Sequence, residues 1–232
     1  MFIGKIVKSD SHINYVCQIY GPREVEVEPT PADYAFGRFV RVAVRSTSND
    51  IPDTRIVERA LGKSQEPVTY AVGVIYDTIL LNPAFGSLGP RLSNETQVEL
   101  FSPDYISEKA VLIYVMVLGM FEQRTTLLGA AEILSTMHGV PLLSLELGSE
   151  IETMSDEEVR AFHFFSDLDR PDKTEYLHMG YLPHIISQRN SLLPMVTLRI
   201  IDQLEQLFPR NAALLSIVKR NFAWRLKVET TG

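Results

Sequence analysis

The sequence predicts an α+β protein: a small closed β-barrel of about five to six strands over residues 1–122, then a mainly helical region over 123–232 packed on it. Three observations carry this. β-prone runs, several alternating with period two, crowd the first half. Gly and Pro clusters separate them. After residue 122 the apolar residues recur at helical spacing, with start and stop signals.

The elements follow in order. Phe2 to Val7 is a β-prone run, closed by turn chemistry at Ser9-Asp10-Ser11. His12 to Tyr20 is rich in β-branched and aromatic residues and ends at Gly21-Pro22. Glu24 to Glu28 alternates Glu and Val, which predicts a strand with both valines on one face. Pro29 and Pro31 exclude a central strand after it, because each removes a ladder donor. Phe36 to Arg45 alternates again, with Val40, Val42 and Val44 on one face, Phe39 and Arg41 on the other, and the arginines outward. Asp53 to Leu61 has the marks of a short helix stopped by Gly62. Val68 to Leu81 is a long strand, in which Gly73 predicts a bulge or a close backbone approach. Pro83 to Ser93 is a loop, and Ala110 to Phe121 is the last strong strand of this half.

Helical spacing then predicts a helix over Thr125 to His138, stopped by Gly139. Ser155-Asp156-Glu157-Glu158 fits a capping box ahead of a helix with Val159, Phe162 and Phe165 inward. Two helices close the chain, over about 194–207 and 212–226. Leu198, Ile201, Leu204 and Phe208 stripe the first; Leu214, Leu215, Val218 and Phe222 stripe the second. The short link through Pro209 predicts antiparallel neighbours.

Composition excludes some functions. The net charge of −7 argues against broad binding to nucleic acid or anionic membranes. The charge is uneven. Glu146 to Glu175 holds ten acids against three bases. Pro209 to Gly232 holds Arg210, Lys219, Arg220, Arg225 and Lys227 against Glu229. Lys219, Arg220, Arg225 and Lys227 are therefore a candidate docking surface, for protein first and nucleic acid second. The N-terminus shows no leader pattern, and the apolar run from Ala110 to Phe121 is shorter than the ~20 residues of a membrane span. Cys17 is the single cysteine, in a strand-like run, so a buried inert thiol and a reducing, cytoplasmic setting are expected.

Candidate chemistry is sparse. Gly62-Lys63-Ser64 resembles the end of a phosphate-binding loop, but Val57 stands where that loop requires glycine. Asp77 interrupts an apolar run, and Gly86, Gly89 and Arg91 follow; together they are a candidate anion-binding or structural loop, with an Asp77–Arg91 ion pair as the simpler reading. His163, Asp167, Asp169, Asp172 and His178 crowd a short region, a place for a metal or accessory-enzyme site, although their spacing matches no metal-binding pattern. No catalytic residue, cofactor or metal is expected from the motifs.

Ile3-Gly4-Lys5-Ile6-Val7, Gly37-Arg38-Phe39-Val40-Arg41-Val42 and Val72-Gly73-Val74-Ile75-Tyr76-Asp77 occur in an order and spacing that resemble the HAS-barrel. That barrel stands at the N-terminus of HerA-type ATPases and of rotary ATP synthase subunits. The resemblance covers residues 1–122 and is nearest to stand-alone, cyanobacterial-type HAS-barrel proteins. In the ATPases a nucleotide-binding domain follows; here helices follow, without a phosphate-binding loop. The resemblance therefore implies assembly or partner docking, with a homo-oligomer or a protein partner expected. The rival expectations are an accessory enzyme or nuclease-associated factor near His163–His178, and a nucleic-acid module using the basic C-terminal helix.

Overall fold

A computed structural model describes residues 1–22, 24–44, 67–81, 110–125, 131–166, 175–188 and 190–231. The fold is α+β. Its strands are β1 (Phe2–Ser9), β2 (Asn14–Ile19), β3 (Phe39–Val44), β4 (Val68–Leu81), β5 (Ala110–Thr125), β6 (Ala131–His138) and β7 (Glu150–Thr153), with a separate pair β8 (Phe164–Ser166) and β9 (Glu175–Leu177). Helices α1 (Asp156–His163), α2 (Leu182–Ser187), α3 (Leu193–Leu207) and α4 (Ala212–Thr231) complete it.

The main sheet has seven strands in the order β2-β1-β7-β3-β4-β5-β6, all antiparallel. β2 also pairs with β5, through Asn14↔Met116 to Gln18↔Leu112. The hydrogen bonding thus runs in a cycle through β1, β2, β5, β4, β3 and β7. β5 makes this possible by its length. One of its edges is taken by β4; the other serves β2 first and then β6, from Gly119↔His138 onward. At the changeover Val117 N–H donates to the Ile13 carbonyl, and Gly139 N–H donates to that of Leu118.

Alternation along the strands divides the core in two. One set faces into the cycle: Ile3, Ile6, Tyr15, Cys17, Val40, Val42, Ile75, Ile113, Val115 and Ile151 are all buried there. The opposite set, including Phe39, Val72, Val74, Met116, Leu118 and Phe121, packs against Phe162 of α1, Ile185 of α2, Ile200 and Leu204 of α3 and Leu215 of α4. Gly73 lies at a register shift in the β4–β5 pairing, and a Cβ there would sit 2.5 Å from a Val115 methyl. The expected bulge and close approach are therefore both present. Burial pushes the Cys17 thiol up to about 12, which makes it the inert group expected.

The structure corrects four sequence expectations. Ala131–His138 is a strand, where a helix was expected over Thr125 to His138; residues 126–130 lie outside the described ones. β6 and β7 thus carry the sheet into the 123–232 region. Glu24 to Glu28 forms no strand: Val25 makes one isolated bridge to Pro22, and Val27 is exposed. Arg41 is held among acids rather than turned outward. Leu214 is exposed, and the inward stripe of α4 is Leu215, Val218 and Phe222 without it. The expected helix over Asp53 to Leu61, the Gly62-Lys63-Ser64 motif, Pro83 to Ser93, and Asp167 to Lys173 lie outside the described residues.

The helical expectations hold better. The capping box is complete: Glu158 N–H donates to Ser155 Oγ at 3.3 Å, and Ser155 N–H to a Glu158 carboxylate oxygen at 2.8 Å. Val159 and Phe162 face inward. A single 3-10 turn, Pro209–Asn211, joins α3 to α4. Lys219 of α4 reaches back to Asp202 and Glu205 of α3, as antiparallel neighbours require. Among the described residues no helix is long and apolar enough to cross a membrane.

Candidate functional site

The densest chemistry lies where β6 ends under α1. His138 is the last residue of β6, His163 the last of α1, and His178 follows β9 directly. Tyr181 caps α2. Backbone pairing sets the arrangement: β8 and β9 continue from α1, and His178 N–H donates to the His163 carbonyl at 2.9 Å. The rings then stack. His138 lies on His178 with centroids 4.4 Å apart and planes 20° from parallel. Phe162 covers His138 at 4.3 Å, and Phe39 meets His163 edge-on at 5.3 Å.

Each of the two inner imidazoles has both nitrogens engaged. His163 is fully buried. Its Nδ1 lies 2.7 Å from the Val159 carbonyl, which can only accept, so Nδ1 carries the proton. Its Nε2 therefore accepts from the Tyr181 hydroxyl, at 2.6 Å. His138 has the opposite tautomer by the same logic. Nε2–H donates to the Phe162 carbonyl at 2.9 Å, and Nδ1 accepts from Gly180 N–H at 3.1 Å. Both rings are neutral. Burial lowers His138 to about 4, against the Phe162 bond and with help from His178. Burial lowers His163 to about 3, and the neighbouring His138 and His178 add to this. Burial also raises the Tyr181 phenol above its ordinary range.

Such a cluster can bind β6, α1 and α2 together. To take a proton or a metal, either ring would first have to give up a buried hydrogen bond. Among the described residues no group of three His, Cys, Asp or Glu side chains could hold a metal ion. His163 and His178 are brought together as their proximity in sequence suggested, but with His138 as the third member. Asp167, Asp169 and Asp172 lie outside the described residues.

A second polar cluster centres on Arg41 of β3. Its guanidinium contacts Glu158 of α1, bonds Glu152 of β7 at 2.8 and 3.2 Å and Gln123 of β5 at 3.0 Å, and lies 4.5 Å from the Tyr70 ring centre. Burial opposes its charge, but the bonds to Glu152 and Glu158 more than offset this and raise its pKa. Glu158 thereby serves both the helix cap and the sheet.

The other candidates fare differently. Asp77 sits at a second register shift of β4–β5, where one of its oxygens accepts from Thr78 N–H at 2.8 Å. Gly86, Gly89 and Arg91 lie outside the described residues. In the basic C-terminal set, Lys219 is paired with Asp202 and Glu205, and Arg220 is exposed. The side chains of Arg225 and Lys227 lie outside the described ones.

Sequence reasoning missed one further feature, the loop from Gly139 to Ser149 between β6 and β7. It is fixed at several points. His12 Nε2–H donates to the Pro141 carbonyl at 2.7 Å, and His12 Nδ1 accepts from Ser144 Oγ at 3.0 Å. Leu145 N–H donates to the Tyr15 hydroxyl at 3.0 Å, and Gly148 N–H to the Ile6 carbonyl at 2.8 Å. Leu145 packs on the inner core. Yet Val140, Leu142, Leu143 and Leu147 are 52% to 88% exposed. The legible signal was the run of aliphatic residues after Gly139, with no strand or helix period of its own.

The family model described as Domain of unknown function (DUF8166) matches residues 1–231. No curated protein matches the chain.

Proposed function

The chain belongs to the DUF8166 family, and we propose that it works as a non-catalytic assembly or adaptor module, docking through the strand cycle and the loop at its end. One observation carries the reading. The Gly139–Ser149 loop is tied down by side-chain and backbone bonds while Val140, Leu142, Leu143 and Leu147 stay in water. Bonds that hold an apolar surface in place against solvent favour a surface that a protein partner covers.

The strand cycle supports a closed-barrel reading. Six strands return on themselves through the β2–β5 pairing, and their inward residues form one apolar cluster. With it goes the HAS-barrel resemblance, in which the barrel serves assembly. The inner imidazoles, with both nitrogens engaged, support a structural part for the histidine cluster rather than the accessory-enzyme reading.

The test is affinity capture of the tagged full chain from its native host, beside a Leu142→Ser/Leu147→Ser variant of equal thermal stability. A stoichiometric protein retained by the wild type and lost by the variant is the expected result. Identical captures from the two, together with a wild-type chain that neither self-associates nor holds any protein, would overturn the reading.

A further inference from the structure

Four of the five histidines of the chain hold one short segment, His178 to Ser187, against the rest of the fold. β8 and β9, which lead into it, form a two-stranded sheet apart from the seven-stranded one. α2 is six residues long and has no side-chain cap. The segment is anchored by the buried side chains of Tyr181 and Ile185 and by the Tyr181 hydroxyl on His163. His178 N–H bonds the His163 carbonyl, the His184 ring donates to the Val117 backbone of β5, and Gly180 N–H donates to His138 Nδ1 of β6. A segment so short, with so few buried side chains, opens at a lower free energy than a central strand.

The Gly180 bond cannot survive a proton on His138. Nε2–H already donates to the Phe162 carbonyl, so a second proton must go to Nδ1, where it faces the Gly180 N–H donor to donor. The turn also fits closely there, since a Cβ at Gly180 would sit 3.2 Å from His138 Cβ. The titratable groups that face His138 are His163 from α1, His178 after β9 and Tyr181 before α2. None of the three is a carboxylate, and His178, stacked at 4.4 Å, opposes a charge on His138. His163 differs from His138, because a proton on its Nε2 can still be accepted by the Tyr181 oxygen once the hydroxyl turns.

We propose that the His138–Gly180 bond is an acid-sensitive latch: protonation of His138 releases the His178–Ser187 segment from the main sheet while the strand cycle stays closed. Release takes Tyr181 off His163 and opens that ring to water, so a second proton follows the first. A released histidine titrates at about 6.5, whereas in the closed form His138 is held at about 4. The latch is therefore shut above pH 6.5, and each linked proton favours release by up to about tenfold per pH unit below it.

Hydrogen exchange of the full chain at pH 7, 6 and 5, corrected for the intrinsic pH dependence of amide exchange, tests this. Between pH 7 and pH 5 the amides of His178–Ser187 are expected to exchange at least about a hundredfold faster, from the two linked protons. At pH 5 those of β4 and β5 are expected to remain at least about a hundredfold slower than the segment. His138→Asn sets a carbonyl oxygen near the place of Nδ1 and takes no proton, so it is expected to cut the rise by about tenfold.

Segment exchange that stays flat from pH 7 to pH 5 overturns the proposal. So does exchange of the segment and of β4 and β5 at one common rate, which is unfolding of the whole chain. An undiminished rise in a folded His138→Asn variant overturns the part given to His138. Nitrogen-15 spectra of the wild-type histidine rings decide the same point without a variant: a charged His138 ring beside a still-protected Gly180 amide overturns the latch.

Discussion

Mild acid is expected to destabilise this fold through two histidines, well before its carboxylates titrate. An unfolded histidine has a pKa of about 6.5. In the fold His138 is lowered to about 4 and His163 to about 3. The unfolded chain therefore binds more protons across the window from 6.5 down to those values. The stabilisation is fully present above pH 6.5 and is lost as pH falls through the window. At pH 5 the linkage relation gives a loss of about 2 kcal/mol for His163. That figure barely depends on whether the folded pKa is 3 or 4, since both lie well below 5. His138 is partly solvated and its share is smaller, about 1 kcal/mol after screening. The sum, about 3 kcal/mol, is a large part of the 5–15 kcal/mol typical of a domain. Urea titrations at pH 7, 6, 5.5 and 5, followed by far-ultraviolet circular dichroism, read it directly. Trp224 is exposed, so its fluorescence is a poor reporter of the core. Unfolding free energy that stays flat from pH 7 to 5 would refute the reasoning, because neutral buried imidazoles must then be absent.

Four substitutions and reactions probe the rest. Tyr181→Phe leaves His163 Nε2 buried without its donor and is expected to cost about 1–3 kcal/mol in the same urea assay. Arg41→Met strands Glu152 and Glu158 and is expected to cost about 2–4 kcal/mol; Arg41→Lys recovers only part, since one ammonium cannot reproduce the forked contacts. Gly119→Ala would drive a methyl into the Met137 carbonyl oxygen, so β6 must separate from β5, with a lowered melting temperature as the readout. Cys17 is expected to react with a thiol reagent only as fast as the chain unfolds; rapid labelling at pH 8 under native conditions would contradict its burial.

The long inner strands were legible because burial on both faces leaves a continuous apolar run. Val68 to Leu81 was read to the residue, and Ala110 to Phe121 fell four residues short of the end of β5. β6 was not legible. Ile133, Leu134 and Met137 have helical spacing, but pairing with the free edge of β5 decided the outcome, and Leu134 and Met137 stay exposed. Glu24 to Glu28 shows the converse, since alternation without a partner edge makes no strand. Arg41 looked solvent-facing by parity alone. The parity was right, but that face is covered by α1, which nothing in β3 could reveal. The histidine cluster was half legible for the same reason: His163 and His178 are near in sequence, whereas His138 joins them only because β6 is a strand that ends beneath α1.

The position of β7 has a consequence for how the chain matures. β7 lies between β1 and β3, yet it is made from residues 150–153, long after both of its neighbours. A ribosome that has released only residues 1–122 exposes two facing strand edges with nothing between them, including the Arg41 side chain without Glu152 or Glu158. Pairing of both edges must wait for a segment more than a hundred residues downstream of β3, so this topology covers them at the cost of slow, non-local folding. A fragment ending at residue 122 is accordingly expected to aggregate through those edges, whereas one ending after α1 gains the missing strand and both acids that hold Arg41.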